Sequence, residues 1–134
     1  MKATVVVSTY NQKNYIKECL DSILTQSVDF DYDILISDDC SKDGTKDIIT
    51  EYRSKYPQKI KFINRIENVG AAINYLQAHQ SAMHDIVFHI DGDDVMLPGK
   101  MQKQFDEFKA DDKVNIVFHR ALYFSDDGQY NSPT

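Results

Sequence analysis

Strand-like and helix-like segments alternate along this chain, and three of the strand-like segments run directly into polar clusters. Ala3 to Val7 is a β-branched run, the pattern of a strand buried on both faces. From Asn14 to Gln26, apolar residues recur at Tyr15, Ile16, Cys19, Leu20, Ile23 and Leu24, a helical stripe. Tyr32 to Ser37 reads as a second strand. Thr45 to Tyr56 reads as a second helix, stopped by Pro57. Lys59 to Asn64 is a third strand. Gly70 to Met83 has a weaker helical pattern through Ala72, Ile73, Leu76 and Met83. Asp85 to Ile90 is a fourth strand. Pro98 suits the first turn of a helix whose buried side is marked by Met101, Phe105 and Phe108. Val114 to His119 reads as a fifth strand, and Asp126-Asp127-Gly128 as a turn.

Such alternation predicts an α/β fold: a three-layer α/β/α arrangement around a mostly parallel sheet, joined by right-handed crossovers. With 134 residues and no linker or internal repeat, one domain over residues 1–134 is expected.

Charge narrows the partners. The net charge is −6 with no clustered basic face, which argues against a nucleic-acid backbone as partner. Excess carboxylates in a cleft suit a divalent cation shared with a phosphorylated ligand. No apolar run is long enough to cross a bilayer, and Met1-Lys2-Ala3 passes straight into a strand without a secretory signal. Cys19 and Cys40 match no metal, haem or redox spacing. Free thiols, with Cys19 buried on a helix face, imply a reducing, cytoplasmic compartment.

Position gives the polar clusters their meaning. The first strand ends in Ser8-Thr9-Tyr10-Asn11, the second in Asp38-Asp39-Cys40-Ser41-Lys42-Asp43-Gly44-Thr45, and the fourth in Asp91-Gly92-Asp93-Asp94. In open α/β sheets ligands bind outside the carboxyl ends of the strands. With strand order 3-2-1-4, all three clusters line one crevice. Three carboxylates on a short turn repel one another unless a Mg²⁺ or Mn²⁺ ion compensates, and Gly92 permits the tight path. Read alone, the same turn is equally a solvated helix cap. Asp38 or Asp39 could accept a hydrogen bond from a nucleobase N–H, while Ser41, Asp43, Gly44 and Thr45 build a turn and cap. Tyr10 either stacks on a base or packs on the first helix. His79, His84, His89 and His119 are read as bland.

Together these segments resemble glycosyltransferase family 2, whose donor-binding region has the GT-A, Rossmann-like nucleotide-diphospho-sugar transferase fold. The resemblance rests on Val5-Val6-Val7-Ser8-Thr9-Tyr10-Asn11 with Leu20-Asp21-Ser22-Ile23-Leu24. It also rests on Ile34 to Thr45, on Glu67-Asn68-Val69-Gly70 with Asn74, and on His89-Ile90-Asp91-Gly92-Asp93-Asp94 with Leu97-Pro98. These ordered motifs cover about Ala3 to Phe118 and are far more specific than any one alone.

The resemblance implies a nucleotide-diphospho-sugar donor, a UDP-sugar first of all, and an acceptor that is a carbohydrate or lipid-linked. It implies that Ser8, Thr9 and Tyr10 border the base, that Asp39 (Asp38 as second candidate) accepts the base N–H, and that Asn68 and Gly70 belong to the donor site. Asp91, Gly92 and Asp93 form the Asp-x-Asp region, and Asp91, Asp93 and Asp94 are the candidate ligands of Mn²⁺ or Mg²⁺. The implied reaction is inverting sugar transfer in polysaccharide or glycoconjugate assembly, in the cytoplasm or at the cytoplasmic face of a membrane.

Two departures qualify this. Ile73 stands where many members carry Arg before the helix asparagine, with Arg65 as a speculative replacement. The acceptor-binding half and the carboxylate base of the family have no counterpart in these residues, so donor binding without robust transfer is expected. Among competing functions, a sugar-phosphate nucleotidyltransferase calls for a Gly-rich basic loop after the first strand, and a dinucleotide-binding domain calls for G-x-G-x-x-G there. Ser8 to Gln12 supplies neither. A non-enzymatic binding module is the remaining alternative.

Overall fold

The computed structural model describes residues 1–125, 127 and 130–133. Its elements, in chain order, are β1 (Lys2–Thr9), α1 (Ile16–Leu24), β2 (Asp31–Asp38), α2 (Thr45–Lys55), β3 (Ile60–Asn64), α3 (Ala71–Gln80), β4 (Ile86–Asp91), α4 (Lys100–Ala110), β5 (Leu122–Phe124) and β6 (Tyr130–Pro133). The chain divides into two compact units, Met1–Gln102 and Lys103–Thr134.

The first unit is a parallel four-stranded sheet in the order β3-β2-β1-β4. β1 lies between two neighbours, and its Ala3, Val5, Val6 and Val7 are wholly buried. That is why it reads as an unbroken β-branched run instead of an alternating one. α1 buries Ile16, Cys19, Leu20 and Ile23 of the expected stripe, while Leu24 is half-buried and Tyr15, ahead of the helix, is exposed. The path β1-α1-β2-α2-β3 travels one way across the sheet, and α3 then carries the chain back past β1 to β4. Right-handed crossovers in opposite directions put their helices on opposite faces, which gives the expected three-layer α/β/α arrangement. Register aligns the carboxyl ends: Ser8 pairs with Ser37 on one side and Asp91 on the other, and Thr9 pairs with Asp38.

Two expectations need correction. The helix expected through Ala72, Ile73, Leu76 and Met83 ends at Gln80 and buries a different face. Asn74 and Ala78 are its buried residues, while Ile73, Leu76 and Met83 are 47%, 55% and 77% exposed. The reason is polar: Asn74 Nδ2 donates to the Ser37 carbonyl at 3.0 Å, and Ser37 Oγ donates to Asn74 Oδ1 at 2.7 Å. These two bonds turn the Asn74 face toward β2.

The second correction concerns Val114 to His119, which is not a strand. Val114 closes a turn onto the Asp111 carbonyl, and Ile116 and Phe118 are 69% and 87% exposed. Its apolar residues suit a pleated surface, yet among the described residues no ladder pairs with it. The second unit pairs β5 with β6 antiparallel, with an irregularity at Tyr123/Phe124. Of the turn expected at Asp126-Asp127-Gly128, Asp126 and Gly128 lie outside the described residues. Among the described residues no helix is long and apolar enough to cross a membrane.

Candidate functional site

The loops after β1 and β2 are stitched together by polar side chains. Asn11 N donates to Ser41 Oγ at 2.8 Å, and Lys42 N donates to Asn11 Oδ1 at 2.9 Å. Gln12 N donates to Thr45 Oγ1 at 3.0 Å and Lys13 N to Asp43 Oδ2 at 3.1 Å. Asp43 Oδ1 in turn accepts from the Thr45 amide at 3.0 Å, so the cluster expected to build a turn does so. Asn11 (φ 50°) and Cys40 (φ 65°) adopt left-handed backbone, an uncommon conformation outside glycine that concentrates at functional loops.

The two acids at the end of β2 divide their labour. Asp38 is wholly buried; its Oδ2 accepts the Ser41 amide at 2.8 Å and its Oδ1 the Ser41 hydroxyl at 2.5 Å. Asp39 instead faces the start of α3. Its Oδ1 accepts from Val69 N at 2.8 Å and its Oδ2 from Gly70 N at 3.0 Å, while Asn68 Nδ2 donates to its carbonyl at 3.0 Å.

These strand ends enclose a cavity of about 590 Å³. Ser8, Thr9, Tyr10 and Gln12 line it from the β1 end, Asp39 from the β2 end and Asp91 and Asp93 from the β4 end; Asn68, Gly70, Asn74 and Tyr75 line it from the opening of α3. Of the sequence-predicted residues, Ser8, Thr9, Tyr10, Asp39, Asn68, Gly70, Asp91 and Asp93 therefore meet around one space. Asp38 is not in its wall, and neither are Gly92 and Asp94, which flank it. Ser8 Oγ, Thr9 Oγ1 and Gln12 Oε1 are buried without a hydrogen-bond partner. Native structures leave few buried polar atoms unpaired; here Thr9 Oγ1 and Gln12 Oε1 lie packed against Gly92 at the base of the wall.

At the β4 end, Asp91, Asp93 and Asp94 are exposed and bring carboxylate oxygens within 4.8 Å of one another. Gly92 makes this turn possible by close approach: a Cβ there would come within 2.9 Å of both Thr9 Cβ and Thr9 Oγ1, and nearer still to Gln12 Oε1. Partial desolvation of its carboxyl against the protein, then the neighbouring charges of Asp93 and Asp91, raise Asp94 above its ordinary range although the residue is exposed overall, with Lys100 opposing. The Asp91 carboxyl is lowered, chiefly by its hydrogen bond from His89. Burial first, then Asp94, Asp93 and Asp91, push the Cys19 thiol up to about 12. A set of hard carboxylate oxygens with one strained acid fits Mn²⁺ or Mg²⁺.

Arg65, offered as a replacement for the cation absent at Ile73, reaches the helix asparagine: its Nε donates to Asn74 Oδ1 at 2.8 Å. Two features escaped the sequence reading. Gln12 and Tyr75 belong to the cavity wall. His79 and His89 are not isolated: His79 Nε2 lies 3.0 Å from His89 Nδ1, and His89 Nε2 lies 3.0 Å from Asp91 Oδ1. The four-residue spacing of Tyr75 and His79 was the one available hint, since it stacks them on one helix face.

The family model described as glycosyl transferase family 2 matches residues 4–134. The chain is 35% identical over 125 residues to a putative teichuronic acid biosynthesis glycosyltransferase, TuaG, of Bacillus subtilis, covering 93% of this chain and 48% of TuaG. Residues 1–349 of S. aureus TarS, solved in complex with UDP-GlcNAc, are 30% identical with a TM-score of 0.71, covering 82% of this chain and 32% of that one. A mannosyltransferase of Pyrobaculum calidifontis, solved with GDP-Man and Mn²⁺, is 29% identical with a TM-score of 0.62, covering 69% and 28%. The chain spans less than half the length of the curated relatives it matches.

Proposed function

The chain belongs to glycosyltransferase family 2, and on that premise we propose that its cavity binds the nucleotide diphosphate of a sugar donor. The donor is a UDP-sugar, the transfer to an acceptor hydroxyl is inverting, and the product is a polysaccharide or glycoconjugate assembled in the cytoplasm or at the cytoplasmic membrane face. One observation carries this reading: three strand-end loops converge on a cavity with clustered carboxylates at one end. The TarS complex with UDP-GlcNAc and the mannosyltransferase complex with Mn²⁺ support it by similarity.

The residues divide the work by position. Tyr10, 49% exposed on the rim, offers a ring face to the base. Asp39 accepts the base N–H with a lone pair left over from its two backbone bonds. Ser8, Thr9 and Gln12 line the β1 end of the cavity, beside the nucleoside. Asp93 and Asp94, with Asp91 beside them, hold Mn²⁺ or Mg²⁺, which when bound neutralises charge developing on the leaving diphosphate. We assign no general base.

Calorimetric titration with UDP, GDP and UDP-GlcNAc in Mn²⁺, Mg²⁺ and EDTA tests this. UDP binding that requires the cation is the expected result. No binding of any nucleotide under any of these conditions would overturn the reading in favour of a structural module.

A further inference from the structure

Among the described residues, Asp91 is the one acid of the acidic turn with a side-chain hydrogen-bond donor, and that donor is the inner member of a chain. A carboxylate only accepts, so His89 Nε2 carries the proton of its 3.0 Å bond to Asp91 Oδ1. In the singly protonated tautomer, His89 Nδ1 is an acceptor, and His79 Nε2 fills it as donor across 3.0 Å. Each step fixes the tautomer of the next ring. The Tyr75 ring packs on both imidazoles, 4.2 Å from His79 and 4.6 Å from His89 between centroids, and also lines the cavity. The chain therefore runs from α3 through β4 to the turn.

Such a chain has a geometric consequence. Asp91 is 58% exposed at its side chain and ends a strand, so its carboxylate would otherwise rotate freely. With Oδ1 held, Oδ2 is the oxygen left for a ligand. The Asp91 backbone is held as well, by Cys19 Sγ at 3.6 Å from its carbonyl. Asp94 is held by its amide, which donates to the Asp91 carbonyl at 3.0 Å, but among the described residues no side chain donates to the Asp93 or Asp94 carboxylate.

We propose that His89, itself oriented by His79, is a positioning residue for Asp91, presenting one carboxylate oxygen in a fixed direction to the cation-bound nucleotide. This rests on the donor-site reading above. It adds that α3 and the acidic turn act as one pre-set wall, and that Asp91 differs in kind from its two neighbours.

Two measurements on the 134-residue chain test it. In the first, Mn²⁺ and UDP are titrated into the unaltered protein and into His89→Leu, His89→Gln and His79→Leu. His89→Leu is expected to weaken Mn²⁺-dependent UDP binding on the order of 10- to 100-fold, the usual loss when a partner that orients a metal-site carboxylate is removed. His89→Gln keeps an N–H donor and is expected to recover most of that loss, and His79→Leu to fall between. Equal effects of Leu and Gln, or none from Leu, would overturn the proposal, because mere packing favours the apolar residue.

The second needs neither a variant nor a ligand. Nitrogen NMR of the free protein at neutral pH should show His89 and His79 each fixed as the Nε2–H tautomer. Averaged or Nδ1–H tautomers would overturn the positioning role while leaving the donor site standing. Failure of the unaltered protein to bind UDP with any cation would instead overturn the donor reading, and this proposal with it.

Discussion

Asp39 Oδ2 accepts the amide hydrogen of Gly70 at 3.0 Å, which fastens the acid at the end of β2 to the residue that opens α3. The companion bond from Val69 occupies Oδ1. Asp39 is thus a clamp on the cavity wall as well as a candidate contact for the base. Asp39→Asn keeps one acceptor oxygen and turns an amide donor toward a backbone donor. We expect a stability loss of about 1–3 kcal/mol in urea unfolding, together with weaker UDP binding. Asn68→Ala removes only the bond to the Asp39 carbonyl and should retain most of the binding. Equal binding losses would assign Asp39 to the loop alone.

Much of this site was legible because its signals are local. β-branched runs locate buried strands, and polar clusters after them locate the crevice once the strand order is 3-2-1-4. Neither inference needs a side-chain direction. What stayed hidden depends on direction. Asp38 and Asp39 are neighbours in sequence, yet opposite sides of the chain make one a turn anchor and the other a wall residue. His79 and His89 meet only because α3 lies against the sheet. Val114 to His119 has the composition of a strand, but composition does not supply a partner strand.

The acidic turn trades stability for its ligand. The Asp94 carboxyl is raised above its usual 3.8 by partial desolvation and by Asp93 and Asp91. The folded chain therefore holds a proton there at pH values where the unfolded chain has released it. Stability falls as pH rises from the unfolded value through the raised folded one. Asp94→Asn should remove that slope and raise the cation-free melting temperature above pH 5, an order-of-magnitude threshold set by the carboxylate range. The same variant should lose most of the stabilisation that Mn²⁺ with UDP confers, on the order of tenfold in apparent affinity. Thermal scans with and without the cation across pH 4 to 8, roughly the span between carboxylate and neutral conditions, decide it. A variant no more stable than the parent without cation would count against the repulsion.

Gly92 is needed for space instead of for backbone freedom. Its missing side chain would press on Thr9 Cβ and Oγ1 at 2.9 Å, and Thr9 is buried in β1. Gln12 is the flexible neighbour and Thr9 the rigid one. Gly92→Ala should cost about 1–3 kcal/mol by overpacking and reduce cation-dependent UDP binding as the turn shifts. Adding Gln12→Ala should return little of that loss. Full recovery in the double variant would place the clash at Gln12.

The two faces of α3 offer the sharpest contrast between pattern and packing. By apolar spacing, Leu76 marks the buried side; in the structure it is 55% exposed, and Asn74 is 2% exposed. Asn74 also joins Ser37 of β2 to Arg65 after β3, through bonds of 2.7, 3.0 and 2.8 Å. Asn74→Ala leaves the Ser37 carbonyl and the Arg65 Nε without their partner, so a loss of about 1–3 kcal/mol is expected. Leu76→Gln touches neither group and should stay within about 0.5 kcal/mol of the parent. Chemical unfolding of the two variants side by side checks the order. If Leu76→Gln proved the costlier change, α3 would pack through its apolar stripe, and Asn74, Tyr75 and Gly70 would not stand together in the cavity wall.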